Sequence, residues 1–164
     1  MAELKFLEVR CGEEKELALL AERLWHSAYD DLLGKTQVDY MVDLLQSAPA
    51  LREQIGHGYT YYFIRSGGQT IGICGVQMQG EKLFLSKLYL SDEFRGRGVG
   101  QLALGEVAVI ARDRGAKSVY LTVNKGNLRA VRAYEKFGFV RTEEQVSDIG
   151  NGFVMDDFVY EFTL

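Results

Sequence analysis

Histidine, cysteine and proline are all scarce in this 164-residue chain, at two, two and one. Cys11 and Cys74 lie far apart with no CxxC pairing, and His26 and His57 are isolated. Scattered singly, these residues make a poor start for a structural zinc site, so no metal is expected. Long apolar runs are missing too, so a membrane span is not expected. The opening Met1-Ala2-Glu3-Leu4-Lys5 lacks the basic-then-apolar order of a signal peptide, and a reducing, cytoplasmic setting follows as the default. There is no excess of basic residues: the formal charge is −4, which argues against nucleic acid held by a general positive field. No repeat, linker or low-complexity stretch divides the chain, so residues 1–164 are expected to form a single domain.

What is present is a globular composition, 47% hydrophobic and 26% charged, in a chain long enough to bury a core. Residues 5–10 alternate weakly and predict a first strand. Leu17, Leu20, Ala21, Leu24 and Ala28 recur at helical spacing within residues 13–33. A second helix is expected from Thr36, with its hydroxyl as cap and Asp39 in its first turn. Pro49 either ends that stretch or opens a short helix through Ile55. Residues 59–65, 70–78 and 83–90 are aromatic or β-branched runs joined by tight turns, which predicts an antiparallel meander. Val99, Leu102, Ala103, Val107 and Ile110 then form a helical stripe closed by Gly115. Residues 117–124 return to strand, and a helix capped by Asn127 and ended by Gly138 follows. Residues 139–146 and 153–162 complete the order β-αα-βββ-α-β-α-ββ. The fold class is therefore α/β (α+β), a mixed, mostly antiparallel sheet of about seven strands flanked by helices.

The junction Arg95-Gly96-Arg97-Gly98-Val99-Gly100 joins a strand to a helix. Backbone N–H groups at a helix start lack intrahelical partners and carry the positive end of the dipole. Glycines let an anion approach them closely, and Arg95 and Arg97 add positive charge. A phosphate-bearing ligand is expected. The Walker string GxxxxGK[ST] is absent. Gly98-Val99-Gly100-Gln101-Leu102-Ala103 does fit GxGxxA, but no Asp or Glu occurs from Arg114 to Tyr134 to bind a ribose. A dinucleotide site lacks its second requirement.

The same six residues resemble the R/Q-x-x-G-x-G/A signature of the GCN5-related N-acetyltransferase (GNAT) superfamily. Leu121-Thr122-Val123-Asn124, followed by Asn127, Ala130, Tyr134, Gly138 and Phe139, resembles the second block of that superfamily. The two blocks stand in the right order, separated by one helix and one strand. The resemblance implies acetyl-CoA as acetyl donor and an acyltransferase with no covalent enzyme intermediate. It also implies that the backbone of Leu88, Tyr89 and Leu90 hydrogen-bonds the pantetheine arm and offers an oxyanion donor. Arg95, Gly96, Arg97, Gly98, Val99 and Gly100 would hold the pyrophosphate, with Asn124, Asn127, Ala130 and Tyr134 also contacting the cofactor.

Ala130 and Tyr134 are four apart and share a helix face. The resemblance gives Tyr134 the role of acid toward the departing thiolate. Ordinary tyrosine and thiol pKa values differ by about 1.5 units, so full proton transfer would be uphill by roughly 2 kcal/mol. Strong hydrogen bonding to the developing thiolate is the better description. The amine must lose a proton before it attacks. Glu81, Glu93 and Asp148 are candidate bases and His26 lies on the first helix, but no spacing singles one out. Cys74 sits in an apolar strand and reads as core.

The resemblance also implies that the acceptor site is built by the first two helices and the last hairpin, where Trp25, Tyr29 and Asp148 are the candidate substrate residues. The segments 36–41 and 148–157 resemble the polyamine-type bacterial acetyltransferases related to PaiA. Aromatics beside carboxylates suit an ammonium chain. A small amine or polyamine acceptor, a peptide or protein acceptor, and a non-catalytic acyl-CoA-binding module all stay open. A homodimer stays open as well.

Overall fold

The structure is a computed structural model and describes residues 3–94 and 96–164. Its elements run β1 (Leu4–Glu8), α1 (Glu14–Leu33), α2 (Lys35–Gln46), α3 (Ala48–Gly56), β2 (Thr60–Ser66), β3 (Gln69–Gln79) and β4 (Lys82–Leu90). After a 3-10 turn at Asp92–Phe94 come α4 (Val99–Asp113), β5 (Ser118–Asn124), α5 (Leu128–Phe137), β6 (Val140–Gly150) and β7 (Phe153–Thr163). The seven strands are hydrogen-bonded in the order β1-β2-β3-β4-β5-β7-β6, a mixed sheet with helices in its connections. Pro49 opens a helix of its own, so three helices precede β2. The Ser47 hydroxyl caps α3 by accepting from Ala50 N–H at 3.3 Å. Thr36 does not cap α2: that helix begins one residue earlier, after Gly34 at φ +83° and with no side-chain cap.

Two compact units are formed, Met1–Gln77 with Lys87–Val99, and Met78–Ser86 with Gly100–Leu164. In the first, the apolar stripe of α1 packs as the spacing predicts. Leu17, Ala21 and Leu24 meet Leu51, Tyr61, Phe63 and Ile73 in one core cluster. Two glycines in β3 answer close neighbours. A Cβ on Gly75 would stand 2.6 Å from the Tyr61 ring, and one on Gly72 would stand 2.3 Å from the Tyr89 carbonyl oxygen.

In the second unit β5 is parallel to β4 from Lys82↔Ser118 to Phe84↔Tyr120. On its other edge β5 pairs antiparallel with β7 from Ser118↔Thr163 to Asn124↔Asp157. Val119, Leu121, Val123, Val159 and Tyr160 are buried. Gly138 closes α5 in the left-handed region at φ +119°, a conformation glycine adopts without a Cβ penalty. Among the described residues no helix is long and apolar enough to cross a membrane.

Candidate active site

The glycine loop follows the Asp92–Phe94 turn and leads directly into α4. Arg95 lies outside the described residues. Gly96 and Gly98 hold φ values of +75° and +76°, with nothing among the described residues within 4 Å of where a Cβ would sit. The backbone there is therefore bare to an approaching anion. The Arg97 guanidinium lies 5.8 Å from the Phe94 ring centre, on an exposed stretch. Val99 is buried and begins a 15-residue helix, whose first N–H groups have no partner within it. This loop can hold phosphate oxygens through backbone donors, dipole and guanidinium.

Just before the loop, Leu88, Tyr89 and Leu90 end β4. Tyr89 joins Trp25 and Tyr29 of α1 in one aromatic cluster. Trp25 lies 4.9 Å from Tyr29 and 5.5 Å from Tyr89, and the two tyrosine rings are 6.2 Å apart. The Trp25 indole N–H is buried and has no hydrogen-bond partner among the described residues. Ser27, two residues beyond Trp25 on α1, donates to Asp92 at 2.5 Å, and Ser91 N–H donates to Ile71 O at 2.8 Å. His26 instead faces carboxylates, Asp30 at 2.6 Å and Asp39 at 2.9 Å.

Lys87 is the unexpected member of β4. It is buried, and Nζ lies 2.6 Å from Tyr61 Oη and 3.4 Å from Gln54 Oε1. The Tyr61 hydroxyl in turn donates to Gln54 Oε1. Loss of hydration pushes the Lys87 pKa down to about 7.

The second unit carries the other motif. Asn124 Oδ1 accepts from Gly126 N–H at 2.8 Å and Asn127 N–H donates to Asn124 O at 3.0 Å, turning the chain into α5. Asn127 Oδ1 accepts from Ala130 N–H at 3.3 Å, the expected N-cap. Tyr134 is half-buried one turn beyond Ala130, edge-on to Phe139 at 5.7 Å between centres.

The three carboxylates expected as bases each lie at the surface. Glu81 is ion-paired with Lys117 at 3.0 Å. Glu93 accepts from Gln69 at 3.5 Å. Asp148 caps the β6–β7 turn by accepting from Gly150 N–H at 2.8 Å. Asp157 of β7, by contrast, is only 4% exposed. Its pKa is pushed up to about 6, first by lost hydration and then by the charge of Asp156, with Lys125 opposing.

Residues 22–139 match the acetyltransferase (GNAT) family model, a span that holds both motif blocks. The chain belongs to this family. Among its relatives, N-acetyltransferase 8B of Mus musculus is 28% identical over 132 residues, which is 77% of this chain and 55% of that protein. The thialysine N-epsilon-acetyltransferase of Sus scrofa is 32% identical over 84 residues, 51% of this chain and 43% of that one. The chain spans about half the length of the relatives it matches. Among solved structures, the PaiA N-acetyltransferase of Thermoplasma acidophilum in complex with coenzyme A superposes at a TM-score of 0.78, with 20% identity and 99% of each chain covered. That likeness establishes the GNAT fold.

Two polar residues of this GNAT chain escaped the spacing arguments, and both had a signal. Leu83, Leu85 and Lys87 alternate on the inward face of β4, so a lysine stands where the pattern demands an apolar residue. Asp156 and Asp157 are adjacent on a strand and must point to opposite faces, so one of them turns inward.

Proposed function

We propose that this chain is an N-acetyltransferase that moves the acetyl group of acetyl-CoA directly to a primary amine, a small amine or polyamine. The observation that carries the reading is the family match over both blocks, residues 22–139. The bare backbone at Gly96 and Gly98 fits the phosphate end of such a donor. In this reading those N–H groups and Arg97 hold the pyrophosphate, and the Leu88–Leu90 backbone orients the pantetheine arm and the thioester carbonyl. The resemblance of the second block also assigns Asn127, the small Ala130 and Tyr134 of α5 to the cofactor, with Tyr134 donating a hydrogen bond to the sulfur as negative charge develops there. The thioester supplies the activated acetyl group, so the protein needs no nucleophile of its own. The burial of Cys74 in β3 agrees.

Trp25 and Tyr29 are buried, each 6% exposed, so within this aromatic cluster it is the half-buried Tyr89 ring that supports an amine acceptor, by cation–π contact with an alkylammonium group. The names of relatives point the same way, since thialysine and streptothricin acetyltransferases are among them. CoA release from acetyl-CoA, followed over a panel of small amines, polyamines and lysine peptides, tests the proposal. Turnover of a small amine or polyamine is the expected result. Tight acetyl-CoA binding with no turnover on any amine would overturn it, and turnover of peptides alone would replace the acceptor.

A further inference from the structure

We propose that Asp157 takes the proton from the acceptor's ammonium group, which makes the acceptor an alkylamine that arrives protonated and leaves acetylated. This rests on the acetyl-transfer reading above.

Burial singles Asp157 out. Only two carboxylates among the described residues are buried, Glu14 at 7% exposure and Asp157 at 4%. Glu14 is satisfied: its carboxyl accepts from Gly12 N–H at 2.6 Å and faces Arg52 at 3.4 Å. The Asp157 carboxyl has no hydrogen bond and no ion pair among the described residues, and only the more distant charges of Asp156 and Lys125 act on it. Its neighbour Asp156 points to the other face and is paired with Lys125 at 2.9 Å. Its oxygens are not among the polar atoms wholly shut off from water, so the carboxyl sits in a largely dry setting yet stays open to an incoming donor, and an acid kept there without a partner is costly unless a ligand or a reaction requires it. The missing partner of an anion is a cation, and an alkylammonium supplies both the charge and the N–H donors.

The register places this carboxyl within the second motif block. Asp157 stands opposite Asn124 on β5 and opposite Gln145 on β6. Directly opposed residues in antiparallel strands project to the same face, so two carboxamides stand opposite the acid, with the Glu143 carboxylate of β6 the diagonal neighbour on that face. Asn124 is the residue whose turn leads through Asn127 into the helix of Tyr134. A base raised toward neutrality by burial also suits proton removal near pH 7, where an ordinary surface carboxylate is a weaker base.

The step balances as follows. An ammonium N–H gives its proton to an Asp157 carboxylate oxygen, leaving a neutral amine and a carboxylic acid. The nitrogen lone pair forms the C–N bond at the thioester carbonyl carbon, and the C–S bond breaks with its electron pair going to sulfur. The second nitrogen proton passes to the thiolate, giving amide and thiol. Asp157 then returns its proton to water.

Asp157→Asn keeps the shape and removes the base. Rates are to be measured against pH with two acceptors, an alkylamine and an alkoxyamine, whose nitrogen is already neutral at neutral pH. With the alkylamine, kcat is expected to fall about 100-fold, and the acidic limb of kcat/KM is expected to disappear. The alkoxyamine rate and the affinity for acetyl-CoA should stay near wild type. Equal loss with both acceptors, a rise in KM with kcat intact, or no loss at all would overturn the assignment. A second measurement needs no variant: the wild-type acidic limb seen with the alkylamine should be missing with the alkoxyamine, and a limb with both would equally overturn it. Should wild-type protein bind acetyl-CoA yet acetylate neither acceptor nor any other amine, the transferase reading itself fails, a different outcome from the failure of Asp157 alone.

Discussion

Gly72 of β3 and Tyr89 of β4 approach so closely that a methyl group on Gly72 would lie 2.3 Å from the Tyr89 carbonyl oxygen. The Leu90 Cα would be 3.3 Å from that same methyl, so backbone, not a flexible side-chain tip, stands in the way. The glycine thus sets the path of β4 where it is proposed to meet the thioester.

Gly72→Ala should therefore act on stability and on the donor site together. The overpacked backbone is expected to cost about 1–3 kcal/mol. Urea denaturation would show it as a lower midpoint, and calorimetry as weaker acetyl-CoA binding. A variant of unchanged stability and affinity would mean that β4 can shift away without consequence.

Lys87 gives the fold a measurable pH dependence. Its folded pKa is pushed down to about 7 from the ordinary 10.5, so between those two values the unfolded chain binds a proton that the folded chain does not. Stability should rise with pH through that window, and the penalty should be fully present below about pH 7. Lys87→Met removes this dependence while leaving the Tyr61–Gln54 hydrogen bond in place. Melting temperatures of the two proteins, compared at neutral and alkaline pH, should converge as pH rises.

Tyr134→Phe tests the sulfur end of the site. A hydrogen bond to a charged group is worth about 1.5–3 kcal/mol, so kcat should fall roughly 10- to 100-fold where chemistry limits turnover. Affinity for acetyl-CoA should change little, because the bond strengthens only as the thiolate forms. Stopped-flow single-turnover rates would separate this from product release.

Gly98→Ala tests the phosphate end. Among the described residues no atom lies within 4 Å of the added methyl, so the intrinsic cost is that of the left-handed backbone, about 1–2 kcal/mol. In the proposed donor site the methyl would crowd the backbone that receives the phosphate. The KM for acetyl-CoA should rise about tenfold or more while kcat at saturation is kept, the pattern of lost uniform binding. Arg97→Ala should give a smaller rise that shrinks further in high salt, as expected for an exposed charge.

Much of the fold could be read along the chain. The meander of β2, β3 and β4, the stripe of α1, the Asn127 cap and the Gly138 stop depend on residues within a few positions of one another, so composition and spacing carry them. The error at α2 came from the same local logic: Thr36 is a good cap by type, but Gly34 at positive φ starts the helix sooner. The proposed base was only half legible: adjacency says that one of Asp156 and Asp157 turns inward, but not which one, nor that it outranks the other carboxylates. Glu81, Glu93, Asp148 and Asp157 are alike in one dimension, and only the pairing of β7 between β5 and β6 decides which of them is taken out of water. The sequence by itself determined the order of elements, the glycine loop and the Asn127–Tyr134 helix, because short-range geometry encodes them. The tertiary structure alone decided that Gly72 meets Tyr89, that Lys87 rests on Tyr61, and that Asp157 is buried while Asp156 is not. Those are facts of solvation and contact between residues distant in the chain, and no local pattern specifies a partner that another strand provides.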